Sequence, residues 1–169
     1  MSTAYTFLSS PFGKILVAWS ERGLERVGIG ADVEGQADPR WRLDRALDCE
    51  ATRQLREYFD GDRRRFDLPL GLEGTPFRMK VWRALERIPF GETASYGKVG
   101  EWVGSPGSSR AVGMACGSNP LPIVIPCHRV IGASGKLVGF GGGLEMKRAM
   151  LEFERERSGA PQGRLALSR

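Results

Sequence analysis

Residues 95–117 read Ser95-Tyr96-Gly97-Lys98-Val99-Gly100-Glu101-Trp102-Val103-Gly104-Ser105-Pro106-Gly107-Ser108-Ser109-Arg110-Ala111-Val112-Gly113-Met114-Ala115-Cys116-Gly117. Ser95 begins a short helix with Val99 and Val103 inward, Ser105-Pro106-Gly107 makes a tight turn, and Ser108 caps a second helix through about Gly117. Two short helices joined in this way form a helix-turn-helix, a motif that enters DNA grooves and also occurs as plain packing in small α domains. The second helix is unusual, because Gly113 and Gly117 each sacrifice about 1 kcal/mol of helix stability relative to alanine. Small residues at 111, 113, 115 and 117 suit shallow docking into a narrow groove, with Arg110 projecting from the first turn. Tight packing against another helix is the alternative.

Upstream, Thr75-Pro76 is a helix start: the threonine accepts free N–H groups and proline needs none at the first helical position. Phe77, Val81, Leu85 and Ile88 share a face, and Pro89-Phe90-Gly91 ends that helix. Further back, Tyr5 and Phe7, then Ile15, Val17 and Trp19, then Leu24, Val27 and Ile29 alternate with period two between turn residues. The pattern predicts an antiparallel meander with one buried face. Residues 30–40 read as a surface loop, and Asp44 as the cap of a helix lined by Leu47, Ala51, Leu55 and Tyr58. The chain is thus expected to be α+β. An N-terminal sheet-plus-helix domain (1–70) supports a mainly helical, winged-helix-like domain (71–157), and residues 158–169 form a flexible tail.

Composition narrows the function classes. The 169 residues, 41% hydrophobic and 27% charged, can bury a core, and no run is long and apolar enough to span a bilayer. The N-terminus carries no secretory pattern, and three cysteines argue against a disulfide framework, so a cytoplasmic location is expected. One histidine with cysteines at 49, 116 and 127 fits no familiar zinc spacing, and no metal or cofactor is expected. Residues 1–70 carry 11 Lys/Arg against 12 Asp/Glu, whereas residues 71–169 carry 14 against 8. No carboxylate occurs between Glu101 and Glu145, while Arg110, Arg129 and Lys136 do, and such a segment attracts a polyanion.

Downstream of the helix pair, Asn119-Pro120-Leu121-Pro122-Ile123-Val124-Ile125-Pro126-Cys127-His128-Arg129-Val130 reads as a strand-like apolar run ending at a proline. Cys127 then lies where regular structure has stopped, beside the only histidine and an arginine, both of which favour a thiolate if they face it. In an extended segment His128 and Cys127 point to opposite sides, so proton transfer between them runs through one ordered water. A carboxylate on the other ring nitrogen would fix the tautomer, and Glu145, Glu152, Glu154 and Glu156 are available. Cys49 and Cys116 read as packing residues.

Pro126-Cys127-His128-Arg129-Val130 resembles the active-site motif of the DNA alkyltransferases that repair O6-alkylguanine. Gly74-Thr75-Pro76-Phe77, Ile88-Pro89-x-Gly91-x-Thr93-x-Ser95-Tyr96, Arg110-Ala111-Val112-Gly113, Asn119-Pro120, Gly139-Phe140-x-Gly142-Gly143-Leu144 and Lys147 resemble that family in order and spacing, over about residues 74–154. The resemblance implies irreversible, single-turnover transfer of an alkyl group from O6-alkylguanine, and with it O4-alkylthymine, to Cys127. It further implies that Glu154 orients His128, that His128 deprotonates Cys127, and that Tyr96, supported by Lys147, donates to the departing base. Asn119 would brace the active-site turn. Ser95, Tyr96, Arg110, Ala111 and Ala115 would meet the minor groove of double-stranded DNA around a flipped nucleotide. Pro122, Val130, Phe140 and Gly141 would line its pocket. Phe140 stands where the family often has tyrosine. No obligate protein partner and no membrane is implied, and a monomer is expected, with self-association on DNA left open. The competing reading is a non-catalytic, alkyltransferase-like sensor of alkylated DNA, but that group lacks the reactive cysteine present here at Cys127.

Overall fold

The computed structural model describes residues 2–159 and separates into two compact units. The first comprises Met1–Leu72 with Pro120–Val124, the second Glu73–Asn119 with Ile125–Arg169. Residues 160–169 of the expected tail lie outside the described part, and Ser158 is still helical.

In the first unit, β1 (Ala4–Leu8), β2 (Ile15–Ser20) and β3 (Gly23–Gly28) pair antiparallel, and β4 (Arg42–Leu43) joins β1 in parallel, giving the order β3-β2-β1-β4. The meander is as its period-two pattern predicted, but both faces of β2 are covered. Leu16 and Ala18 pack with Val33, Tyr5, Phe7 and Trp41, while the alternating Ile15 and Val17 are equally buried on the other side. The Ile15-Leu16-Val17-Ala18 run is therefore the unbroken apolar signature of a strand covered twice. Residues 30–40 are not merely a surface loop, since Val33 is buried in that cluster.

Helix α1 (Glu50–Phe59) packs on β2 and begins later than expected. Its N-terminus is fixed by Cys49, whose N–H donates to Thr52 Oγ1 at 3.0 Å. Asp44 instead closes a turn through Ala46 N, its own N–H being taken by Tyr5 O beside β4. Residues 119–126 form no strand. Pro120, Pro122 and Pro126 remove three ladder donors, and Ile123 adopts φ 77°, a conformation that costs a β-branched residue about 1–3 kcal/mol.

The second unit is helical: α2 (Pro76–Leu85), a short β5 (Ala94–Ser95), α3 (Tyr96–Trp102), α4 (Ser109–Gly117), β6 (Val130–Ile131) and α5 (Leu144–Ser158). Thr75 caps α2 by accepting from Arg78 N at 3.2 Å, and Ser95 caps α3 by accepting from Lys98 N at 3.0 Å. The turn between α3 and α4 is longer than three residues because Gly104 and Gly107 both take positive φ, which only glycine adopts without strain. Ser108 precedes α4, but its hydroxyl donates back to Ser105 O rather than capping the helix. Trp82 of α2 donates its indole N–H to Ala115 O at 2.8 Å, tying α4 to the unit's core. The parallel β5–β6 pair sets Ala94 opposite Val130, which joins the start of α3 to the segment following Cys127. The fold is α+β: the N-terminal unit carries the four-stranded sheet with α1, and the C-terminal unit carries α2, α3, α4 and α5 with the short β5–β6 pair.

Candidate active site

Cys127-His128-Arg129 forms a single 3-10 turn immediately after Pro126, and all three side chains are buried. A 3-10 turn spaces successive side chains about 120° apart, so the three point in different directions, although the segment is not extended. Cys127 lines a cavity, whereas His128 and Arg129 converge on Glu154 of α5.

Of the four candidate glutamates, Glu154 is the one that meets the histidine. His128 Nε2 lies 2.8 Å from Glu154 Oε2, and Arg129 donates from Nε to Oε1 at 2.8 Å and from Nη2 to Oε2 at 2.9 Å. Arg129 Nη1 donates to Ile88 O at 2.7 Å. Burial by itself would raise the Glu154 carboxyl, but the charges and hydrogen bonds of His128 and Arg129 outweigh it and hold the group ionised well below the usual carboxylate range. Burial pushes the His128 imidazole down, with Glu154 opposing and Arg129 and Lys147 adding to the shift. A neutral imidazole facing a carboxylate through Nε2 carries its proton there, so Nδ1 is left with a lone pair, and among the described residues Nδ1 has no hydrogen-bond partner. Arg129 does not face the thiol, contrary to the sequence expectation. Its guanidinium is spent on Glu154.

The Cys127 thiol is raised by burial, with partial relief from an Asn119 hydrogen bond and the Lys147 charge. Asn119 also donates from Nδ2 to Ile125 O at 2.9 Å, which fixes the backbone just ahead of Cys127. Lys147 is fully buried and its Nζ reaches Val138 O at 3.1 Å, Gly139 O at 3.4 Å and Tyr96 Oη at 3.4 Å. Burial draws the Lys147 ammonium down. Tyr96 donates its hydroxyl to Val138 O at 2.8 Å, and burial together with the two neighbouring thiols raises its phenol. Tyr96 and Lys147 thus grip the backbone that forms one wall of the cavity.

That cavity has a volume of about 610 Å³, within the range of small-molecule sites. Phe140 and Gly141 line it opposite α4 residues that include Arg110 and Met114. Two expected pocket residues do not line it: Val130 is fully buried in the ladder with Ala94, and Pro122 belongs to the first unit. Cys116, read as a packing residue, is on the cavity wall, its thiol pushed up to about 12 by burial and by Cys127. On α4 the buried face is Val112 and Ala115, three residues apart, so Ala115 turns inward and is not on the exposed face with Arg110, Ala111 and Met114. Met114, which sequence reasoning passed over, is 66% exposed. Gly113 and Gly117 are not required by internal packing: a Cβ at 113 would meet only the Tyr96 ring at 3.8 Å, and one at 117 nothing within 4 Å. Ser95 is half-buried and occupied as the α3 cap. Among the described residues no three His, Cys, Asp or Glu side chains are placed to hold a metal ion, and no helix is long and apolar enough to cross a membrane.

A cavity-lining cysteine next to a buried histidine–glutamate pair, with a helix-turn-helix at the cavity's edge, defines the class of the site: a helix-turn-helix protein with a cysteine on its cavity wall. Residues 76–156 match the DNA-binding domain of 6-O-methylguanine DNA methyltransferase, and residues 3–72 match the ribonuclease-like domain of the same family. The chain is 44% identical over 156 residues to the methylated-DNA–protein-cysteine methyltransferase of Mycobacterium bovis, covering 92% of this chain and 94% of that protein. It is 42% identical to the constitutive enzyme of that name from Bacillus subtilis, covering 89% and 94%. Mycobacterium tuberculosis OGT in complex with DNA superposes with a TM-score of 0.83 at 45% identity, over 94% of this chain and 96% of that one. The chain belongs to the methylated-DNA–protein-cysteine methyltransferases, a family of DNA-repair alkyltransferases.

Proposed function

We propose that this protein reverses alkylation of DNA by moving the alkyl group of O6-alkylguanine onto Cys127, once per molecule. The observation that carries the reading is the Cys127 thiol on a cavity wall next to a buried imidazole that is held against Glu154 and whose Nδ1 has no hydrogen-bond partner among the described residues, in a site where burial disfavours the charged ring. His128 accepts the thiol proton at Nδ1 through one bridging water while Glu154 holds Nε2–H. The thiolate forms a bond to the alkyl carbon, the O6–carbon bond breaks, and its electron pair stays with the guanine. Proton donation from Tyr96 to a ring nitrogen stabilises the leaving base. That donation requires the Tyr96 hydroxyl to exchange its bond with Val138 O, with Lys147 beside it. The thioether product has no easy hydrolysis route, so the acceptor is consumed.

The duplex side follows from α4. The lesion carbon is reached only if the nucleotide leaves the stack, at a cost of a few kcal/mol. Arg110 is exposed and makes no ion pair among the described residues, so it is free to fill the vacated place. The open space over Gly117 and the missing side chain at Gly113 let the helix backbone approach the minor groove closely, with Ala111 and Met114 on the same face. Phe140 and Gly141 then receive the flipped base. O4-alkylthymine carries the same alkyl–oxygen linkage and is the second lesion to assay.

The test is intact mass after mixing the protein with duplex DNA holding one O6-methylguanine. One added methyl group, mapped to Cys127 and absent in Cys127→Ser, is expected. Lesion-preferring binding without a mass change would make the protein a sensor, and the absence of both mass change and lesion preference would end both readings.

A further inference from the structure

Arg129 has no part in the scheme above, yet both of its bonds to Glu154 are short and its third donor is satisfied by Ile88 O. Glu154 Oε2 is shared: it faces His128 Nε2 at 2.8 Å and Arg129 Nη2 at 2.9 Å. An imidazole facing a lone buried carboxylate gains a second proton, because the resulting ion pair is strong where water is absent. A guanidinium already forked onto that carboxylate removes the gain. Glu154 with Arg129 is then neutral, and a protonated His128 would add an uncompensated charge to a site where the imidazole and carboxylate are fully buried. The charged groups acting on the ring are Glu154 and Lys147 from α5 and Arg129 from its own turn, so two cations oppose one anion.

We propose that Arg129 is a positioning residue that sets the protonation state of His128: by neutralising Glu154 it holds the imidazole as the neutral Nε2–H tautomer and keeps Nδ1 free of a proton. The resting site is then thiol plus imidazole, not thiolate plus imidazolium. A single-use acceptor in that state stays weakly reactive toward stray electrophiles until a lesion fills the cavity. This consequence rests on the alkyl-transfer reading, whereas the tautomer itself does not.

The experiment uses the fact that the chain holds one histidine. In tag-free protein with 15N-labelled imidazole, the ring signals belong to His128 alone and need no DNA. At pH 7 the wild type is expected to show a protonated Nε2 and a bare Nδ1. Arg129→Lys, which keeps the charge, is expected to preserve that state. Arg129→Met is expected to protonate both nitrogens and to move the acid limb of the transfer rate up by about one to three pH units. A doubly protonated or Nδ1–H imidazole in the wild type overturns the proposal without any variant. So does a folded Arg129→Met whose ring and pH profile match the wild type. Failure of methyl transfer in the mass experiment, with the tautomer as expected, would count against the function and not against the role of Arg129.

Discussion

The two sides of Cys127 are built on opposite principles. Behind it, His128, Arg129 and Glu154 are buried, and Glu154 and Arg129 each have several short polar partners. In front, the exposed face of α4 offers Arg110, which makes no ion pair among the described residues, an exposed Met114, and glycines at 113 and 117 that internal packing does not require. Stability and function separate across this thiol. A dry ionic cluster fixes protonation only while every member is paired, so its residues serve fold and chemistry together. The α4 face contributes little to the fold, and its residues are left to be chosen by what they meet.

Substitutions on the two sides should therefore behave differently, and the largest effect belongs to the cluster. Glu154→Gln leaves Arg129 buried without its anion and should destabilise the protein by about 3–5 kcal/mol, read as a lower urea midpoint. If the loss is under about 1 kcal/mol, the cluster is not the closed unit described here. Arg110→Ala should do the reverse, leaving the urea midpoint unchanged within about 0.5 kcal/mol while lowering affinity for lesion-bearing duplex by about 1–3 kcal/mol, a factor of about 5 to 160 in a titration.

Acid probes the cluster without mutation. His128 in the unfolded chain takes a proton near 6.5, whereas the buried ring resists it, so below that pH the unfolded state binds the extra proton and stability falls. The slope is at most about 1.4 kcal/mol per pH unit from this group. Glu154 adds to it once the pH drops below about 4.5, its ordinary value, because only the unfolded chain takes that proton readily. Urea midpoints between pH 8 and 5 should thus decline toward acid; a flat profile would mean that the ring takes its proton as readily in the fold as in the unfolded chain, and a rise toward acid that His128 is charged in the fold. The smallest effect sharpens the contrast most. Gly113→Ala should stabilise the protein by about 0.5–1 kcal/mol, since its Cβ meets only the Tyr96 ring at 3.8 Å, yet weaken duplex binding. A Gly113→Ala variant that binds DNA as well as the wild type would remove the close-approach argument for α4.

Much of this was legible in the order of residues. Thr75-Pro76 and Ser95 marked helix starts because capping is decided by neighbours in sequence, and the period-two runs gave β1 to β3 for the same reason. Pro126-Cys127-His128 pointed to the cavity-lining cysteine and the buried histidine beside it. Long-range partners were not available to such reasoning. The apolar run 119–126 looked like a strand until its prolines and the left-handed Ile123 broke it. Ala115 looked like part of a groove-facing stripe, but Trp82 and the i, i+3 spacing with Val112 turn it inward.

The order of residues set the cysteine beside the only histidine, placed the small residues of α4 and marked most helix starts, because those are properties of side chains and of near neighbours. Tertiary structure decided which of four glutamates meets His128, that Arg129 serves the carboxylate rather than the thiol, and that Cys116 shares the cavity with Cys127. Those choices depend on how α5 packs against the turn after Pro126, and a contact across 25 residues of chain leaves no periodic or local trace for a sequence to display.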